Sequence, residues 1–349
     1  MDLSADAPIY RGHRPRYDAV LLSITERCHV GCAHCGFIGA KREREATLQE
    51  LADWSKQVCD YGIDRLILTG GEPFERLDAV ELVVKTATNH VPIISIFTSS
   101  FWGTTKDDAI YVLRRLQGLN HLYLSSDVYH QKRVPYKNVQ NVIAAAVALG
   151  IPYITICITY GNEAELKEVK ENYREWYDVI TFYEDRVIPT PYLPKSVLAR
   201  QASGKRVSPE IYARTCYLQT PLVNPNGDVF ACHTGKAAAH RDIKKTPYYL
   251  GSLRENSFQS IAEAASRRWD YQFLRTHGPR GVAEVLAEHP EALVASGRSS
   301  FTSPCDMCFS VLKTSEGTAS LQFYCQKDAV RDMIDMRLAI GLGEDPLSE

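Results

Sequence analysis

Residues 19–35 read AVLLSITERCHVGCAHC, and residues 65–74 read RLILTGGEPF. Each is a short, near-continuous apolar run that ends in a loop of small or reactive residues, the pattern of a strand buried on both faces. The first run delivers Cys28, Cys32 and Cys35, and the second delivers Gly70, Gly71, Glu72 and Pro73. Working outward, four more such runs follow: VPIISIFTS (91–99), HLYLSSD (121–127), IPYITICIT (151–159) and DVITFYE (178–184). Helix-like segments fall between them, near 47–61, 77–89, 105–117, 136–149 and 163–176. The last of these lies in GNEAELKEVKENYREWY, which carries i,i+4 charge pairs beside an apolar stripe. Strands that alternate with helices predict an α/β fold with parallel strands covered by helices. The count of units predicts a partial (β/α)6 TIM-like barrel over residues 19–190, after a leader segment 1–18.

Beyond residue 190 the rhythm breaks. PTPYLPKSVLARQASGKRVSPE reads as linker, because proline ends each attempt at regular structure. NPNGDV, between apolar runs, predicts a hairpin. Helical patterns follow at 254–275, 281–294 and 328–342, and SPCDMC (303–308) reads as a loop. Residues 191–349 therefore form a C-terminal, Cys-rich hairpin-plus-helix extension.

Forty Lys and Arg against forty-two Asp and Glu leave a formal charge of −2 over 349 residues. That balance gives no electrostatic case for nucleic acid or an anionic membrane as partner. No apolar run approaches the length of a membrane span, and the N-terminus lacks an apolar signal-peptide core. A soluble, cytoplasmic protein is expected. Ten cysteines in a reducing compartment point to metal or redox chemistry rather than disulfides. Cys59 and Cys157 read as small core hydrophobes. The other eight fall into two groups, Cys28 to Cys35 and Cys216 to Cys325.

In the first group the spacing is C-x3-C-x2-C. Three thiolates on one loop suit three irons of a [4Fe–4S] cube and leave the fourth iron open. Zinc competes, with His29 or His34 as a fourth ligand. Gly70 to Pro73 lie at the C-terminal edge of the neighbouring strand, where α/β sheets and barrels bind ligands. Two glycines there let backbone approach a ligand, and Glu72 offers acceptors to an ammonium group.

Together these residues resemble the radical S-adenosylmethionine (SAM) superfamily, whose signature is C-x3-C-x-aromatic-C after the first strand and a GGEP-type motif after the second. His34 stands at the aromatic position. The resemblance covers roughly residues 19–190. It implies a SAM-binding [4Fe–4S] cluster on Cys28, Cys32 and Cys35. SAM would chelate the open iron, and one-electron reduction by a donor such as flavodoxin or ferredoxin would release a 5′-deoxyadenosyl radical. It also implies SAM contacts from Gly70, Gly71, Glu72 and Pro73, and ribose contacts from Ser125 and Asp127. Thr98 and Ser99 face the same edge without an assigned role.

In the second group, Cys216 and Cys232 flank the predicted hairpin, and Cys305 and Cys308 form a C-x2-C. Four such thiolates also make a zinc ribbon. The spacing resembles the SPASM/twitch extension of radical SAM enzymes, which implies an auxiliary [4Fe–4S] cluster on Cys216, Cys232, Cys305 and Cys308. Thr314 stands where a full SPASM pattern has its next cysteine, which favours one auxiliary cluster over two. His233 reads as a polar neighbour. Cys325 is left as a substitute ligand, an inert thiol or a hydrogen-atom donor.

The expected activity is hydrogen-atom abstraction from a small polar precursor (sugar, cyclitol or nucleoside), completed as an oxidation through the auxiliary cluster. Only 18 residues precede the first strand, which weighs against a leader-peptide-binding domain. The alternatives are radical epimerisation with Cys325 as donor, modification of a ribosomal peptide, or a zinc-stapled binding protein without catalysis.

Overall fold

Six parallel strands follow one another in space as in sequence: β1 Ala19–Ser23, β2 Arg65–Thr69, β3 Ile93–Thr98, β4 His121–Ser125, β5 Tyr153–Tyr160 and β6 Thr181–Arg186. The computed structural model describes residues 15–32, 34–35, 45–187, 220–232, 243–301 and 304–341. Between the strands run α1 Leu48–Asp60, α2 Leu77–Ala87, α3 Lys106–Arg114, α4 Tyr136–Ala148 and α5 Glu163–Glu171. Local chemistry starts these helices. Thr47 and Glu50 form a capping box at α1, and Thr105 and Asn162 each accept a backbone N–H at the start of α3 and α5. This is the expected partial (β/α)6 barrel.

Strand alternation decides which side chains meet the helices. Val20, Leu22, Leu66, Leu68, Ile94, Ile96, Leu122, Leu124, Ile154 and Ile156 join one core with Leu51, Val58, Val83 and Ile143. The opposite face carries Ser23, Thr69, Ser95, Phe97, Tyr123, Ser125, Thr155 and Thr159, so the strands are two-faced where the sequence reads as continuously apolar. Cys59 lies in the core as expected. Cys157 instead sits on the polar face, in register with Ser125 and Tyr183.

The expected hairpin forms from β7 Leu222–Val223 and β8 Asp228–Phe230. It does not stand apart: β7 pairs parallel with β1, and β9 Tyr249–Ser252 adds antiparallel to β8. The sheet thus runs β6-β5-β4-β3-β2-β1-β7-β8-β9. The helix Phe258–Ser266 then docks on α1, where the Phe258 N–H donates to Gln57 Oε1 at 3.0 Å. Arg254 pairs with Glu50 and lies 5.4 Å over the Trp54 ring.

A second apolar core gathers Phe273, Leu274, Val285, Met307, Val311, Leu321 and Ile334 from the helices that follow. One of them, Trp269–Glu288, kinks at Gly278 (φ 54°, ψ −143°), where Pro279 has no N–H to give. SPCDMC is not a loop. Cys305 and Cys308 lie on the helix Pro304–Leu312, whose proline sits at the start, where a missing N–H costs nothing. Their i,i+3 spacing puts both thiols on one face. Thr314 caps the next helix, Ser315–Tyr324, by accepting the Gly317 N–H at 3.0 Å. Among the described residues, no helix is long and apolar enough to cross a membrane.

Candidate functional site

The loop after β1 and the turn after β2 are fastened backbone to backbone. The Gly71 N–H donates to Thr25 O and the Glu72 N–H to Arg27 O, each at 2.7 Å. A Cβ on Gly70 would stand 2.6 Å from Thr25 O, and one on Gly71 would stand 2.2 Å from Arg27 O. The paired glycines therefore admit the cysteine loop's own backbone, a close approach of the kind the sequence analysis expects there for a ligand. Pro73 is buried and opens a short 3-10 turn, Pro73–Arg76, that adds two further grips. Glu75 accepts the His29 N–H at 2.6 Å and lies 2.7 Å from its Nδ1. Arg76 donates to Ile24 O and Ala46 O.

Held this way, the loop turns at Gly31 (φ +61°), a left-handed position that suits glycine. Cys28, Cys32 and Cys35 pack in one small cluster with Val30, Phe101 and Val134. Burial pushes the Cys28 thiol up from its ordinary value. Three thiols gathered on one loop beside these apolar side chains suit a thiolate-bound iron–sulfur group.

Glu72 is fully buried, and its carboxylate takes four protein donors. Oε1 accepts from the Phe74 N–H at 3.2 Å and Thr98 Oγ1 at 2.8 Å; Oε2 accepts from the Ser99 N–H at 2.7 Å and Ser99 Oγ at 2.6 Å. Thr98 Oγ1 in turn accepts from Trp102 Nε1 at 3.0 Å. Burial raises the Glu72 carboxyl above its usual range, with these donors opposing. Thr98 and Ser99 thereby acquire a role: they clamp the GGEP turn to the end of β3.

Asp127 follows Ser125 at the end of β4 and is also buried. Its Oδ1 accepts the Tyr129 and His130 N–H groups at 2.9 and 3.0 Å, and its Oδ2 lies 2.9 Å from His130 Nδ1. His130 also meets the Cys32 thiol. His34 completes this group, with Nε2 3.7 Å from Asp127 Oδ2, and burial lowers its pKa to about 4. His29 is engaged with Glu75, so the two candidate zinc-ligand histidines occupy different surroundings. His130 is not singled out in the sequence analysis. Its only signal was the Asp-x-x-His spacing.

The second cysteine group converges on Tyr248. Its hydroxyl lies 2.9 Å from Cys308 Sγ, and Cys232 and Cys305 act electrostatically on the same phenol. Burial first, then these thiols, hold the phenol well above its ordinary pKa. Cys216 and His233 fall outside the described residues. Cys325 ends the helix Ser315–Tyr324 inside the second apolar core, and burial pushes its thiol up.

Residues 22–175 match the sequence profile of the Radical SAM superfamily. This stretch is a radical SAM domain. It includes both motifs, the β4 edge and the clamp between them. A GTP 3′,8-cyclase of Listeria welshimeri serovar 6b is 29% identical over 122 residues, which are 34% of this chain and 35% of that enzyme. A probable GTP 3′,8-cyclase of Methanothermobacter marburgensis is 28% identical over 182 residues, 50% of this chain and 56% of the relative. The matched stretch thus spans between about a third and just over half of those relatives. The solved structure of native anSMEcpe with bound AdoMet and the Cp18Cys peptide superposes with a TM-score of 0.52 at 13% identity, over 91% of this chain and 99% of the other. That likeness concerns the fold. For its members, the radical SAM superfamily implies a [4Fe–4S] cluster and SAM as cofactors.

Proposed function

We propose that the protein is a radical SAM oxidoreductase for a small polar substrate, with its SAM cluster on Cys28, Cys32 and Cys35 and an auxiliary cluster on the C-terminal cysteines. When bound on Cys28, Cys32 and Cys35, the cluster with SAM would supply the radical chemistry for hydrogen-atom abstraction. This chain's own part is positional. Gly70, Gly71, Glu75 and Arg76 fix the cysteine loop against the GGEP turn. Glu72 with its clamp, Ser125 and Asp127 stand at the strand ends, where they are the candidate SAM contacts. The hydroxyl-rich face of the sheet, with Ser95, Thr155 and Thr159, suits a substrate bearing several hydroxyl groups.

The observation that carries the oxidative reading is the convergence of Cys232, Cys305 and Cys308 on Tyr248. Cys216 is the proposed fourth ligand. A cluster held by these residues would supply a one-electron acceptor, which is what a net oxidation after hydrogen-atom abstraction needs. An electron donor such as flavodoxin or ferredoxin would reduce the first cluster. A second reading, cyclisation of a purine nucleotide, is favoured by the names of the two relatives alone.

Anaerobically purified protein tests both. About eight irons and matching sulfide per chain support two cubes, about four support one, and zinc without sulfide defeats the catalytic reading. Turnover of SAM to 5′-deoxyadenosine that depends on GTP would select the second reading. Turnover that depends on a polyhydroxylated metabolite, with a product two electrons more oxidised, would select the first.

A further inference from the structure

We infer that Tyr248 is a positioning residue of the auxiliary centre, whose phenol donates a hydrogen bond to the Cys308 thiolate and thereby sets the reduction potential of a cluster held there. The inference rests on the reading that the C-terminal cysteines hold a cluster, and it assigns a residue outside the cysteine motif to that site.

A buried tyrosine hydroxyl almost always has a hydrogen-bond partner. For Tyr248, only 3% exposed, that partner is sulfur: Cys308 Sγ at 2.9 Å. The neighbouring Tyr249 hydroxyl turns instead to Asp228, at 3.4 Å. Tyr248 is also held in place by its backbone. Its carbonyl accepts the Ala231 N–H at 2.7 Å, directly before Cys232, so the strand that delivers one cysteine also fixes the phenol facing another. Its ring lies beside Phe309, the residue after Cys308, at 6.4 Å between centroids.

The direction of the hydrogen bond follows from the chemistry. A metal-bound thiolate carries no proton, so the phenol is the only possible donor of the pair. Hydrogen bonds to cluster sulfurs favour the more negative, reduced state and raise the potential. The phenol would thus make the auxiliary cluster a better electron acceptor without ligating it.

The test uses the full-length, anaerobically reconstituted protein and its Tyr248→Phe variant, which keeps the ring and removes the hydroxyl. Iron and sulfide per chain are measured, and both cluster midpoints are followed by redox titration with electron paramagnetic resonance. The expected result is unchanged iron and sulfide, an unchanged midpoint for the first cluster, and an auxiliary midpoint shifted to more negative potential. Tyr249→Phe is the control and leaves both midpoints in place. An unshifted auxiliary midpoint in fully loaded Tyr248→Phe overturns the role of Tyr248 and leaves the auxiliary cluster standing. Loss of auxiliary iron from that variant also overturns it, because the hydroxyl would then be needed to build the site. Wild-type protein with a single cluster signal defeats the auxiliary reading itself, and this inference with it.

Discussion

At Gly71 the backbone of one motif occupies the space that a side chain on the other would need. A methyl group there would meet Arg27 O at 2.2 Å, and backbone cannot swing aside as a side chain can. Gly71→Ala is therefore expected to cost on the order of 1–3 kcal/mol. It should also release iron from the first site, because it displaces the loop that presents Cys28 and Cys32; iron analysis of the reconstituted variant checks this. Glu72→Gln is a subtler probe. Its amide nitrogen would face Ser99 or Thr98 donors where a carboxylate oxygen now accepts, leaving buried donors unmatched at roughly 1–3 kcal/mol. The denaturation midpoint should fall, and 5′-deoxyadenosine formation should fall with it. Retained stability with lost turnover would instead assign Glu72 wholly to SAM. Cys325 has packing surroundings, at 1% exposure among Phe273, Tyr324 and Val330. Cys325→Ala should lose about 1 kcal/mol and leave product stereochemistry unchanged. Inverted or scrambled stereochemistry would restore the hydrogen-donor role.

At the scale of elements, the helix Pro304–Leu312 shows what pattern reading missed. Pro304 and two cysteines resemble loop punctuation, yet Asp306 is buried beneath them and gripped by Arg298 through two bonds of 2.6 and 2.8 Å. Proline at the first helical position, acid two residues later and apolar Met307 and Val311 on the inner side are a helix start, legible once the cysteines are set aside. Arg298→Ala should therefore strand a buried carboxylate. The expected loss is roughly 2–4 kcal/mol, together with fewer irons retained at the proposed auxiliary site and none lost from the first. Equal iron loss from both sites would show that this helix does not act on the auxiliary centre alone. The barrel strands were legible for the opposite reason. Their helix-facing positions hold Ile, Leu and Val, and their opposite ones still include Phe97, Tyr123 and Cys157, so each run reads as apolar throughout. The sequence periodicity therefore located the strands and concealed their polar face. Spacing singled out both cysteine groups as proposed ligand sets. It did not single out His130 or Tyr248, because a hydrogen bond to sulfur across 98 or 60 residues leaves no local pattern.

Across the whole molecule, β7 joins β1 directly, so the sheet that presents the first cysteine group also carries the hairpin that leads to the second. No spacing rule foretold that pairing, since two-residue register matches are invisible in a single sequence. Cooperative loss of both parts on unfolding is the natural consequence, and His277 provides a handle on it. It lies fully buried in the second core, stacked on Phe273 at 4.4 Å, with Nδ1 2.7 Å from Thr276 Oγ1 and a buried Nε2 that has no partner among the described residues. Burial first, then Arg337, lowers its pKa to about 4, against about 6.5 for an unfolded histidine. Between those values the unfolded chain binds the proton and the folded chain does not, so stability falls as pH drops from 6.5 towards 4. Above 6.5 the contribution is complete and flat. Thermal unfolding followed from pH 7 to pH 5 should show a falling midpoint, and the decline should be shallower in His277→Gln, which keeps a polar partner for Thr276 but cannot titrate. If the variant declines in parallel with the wild type, acid sensitivity arises elsewhere, and the second core does not report on the stability of the sheet it is joined to.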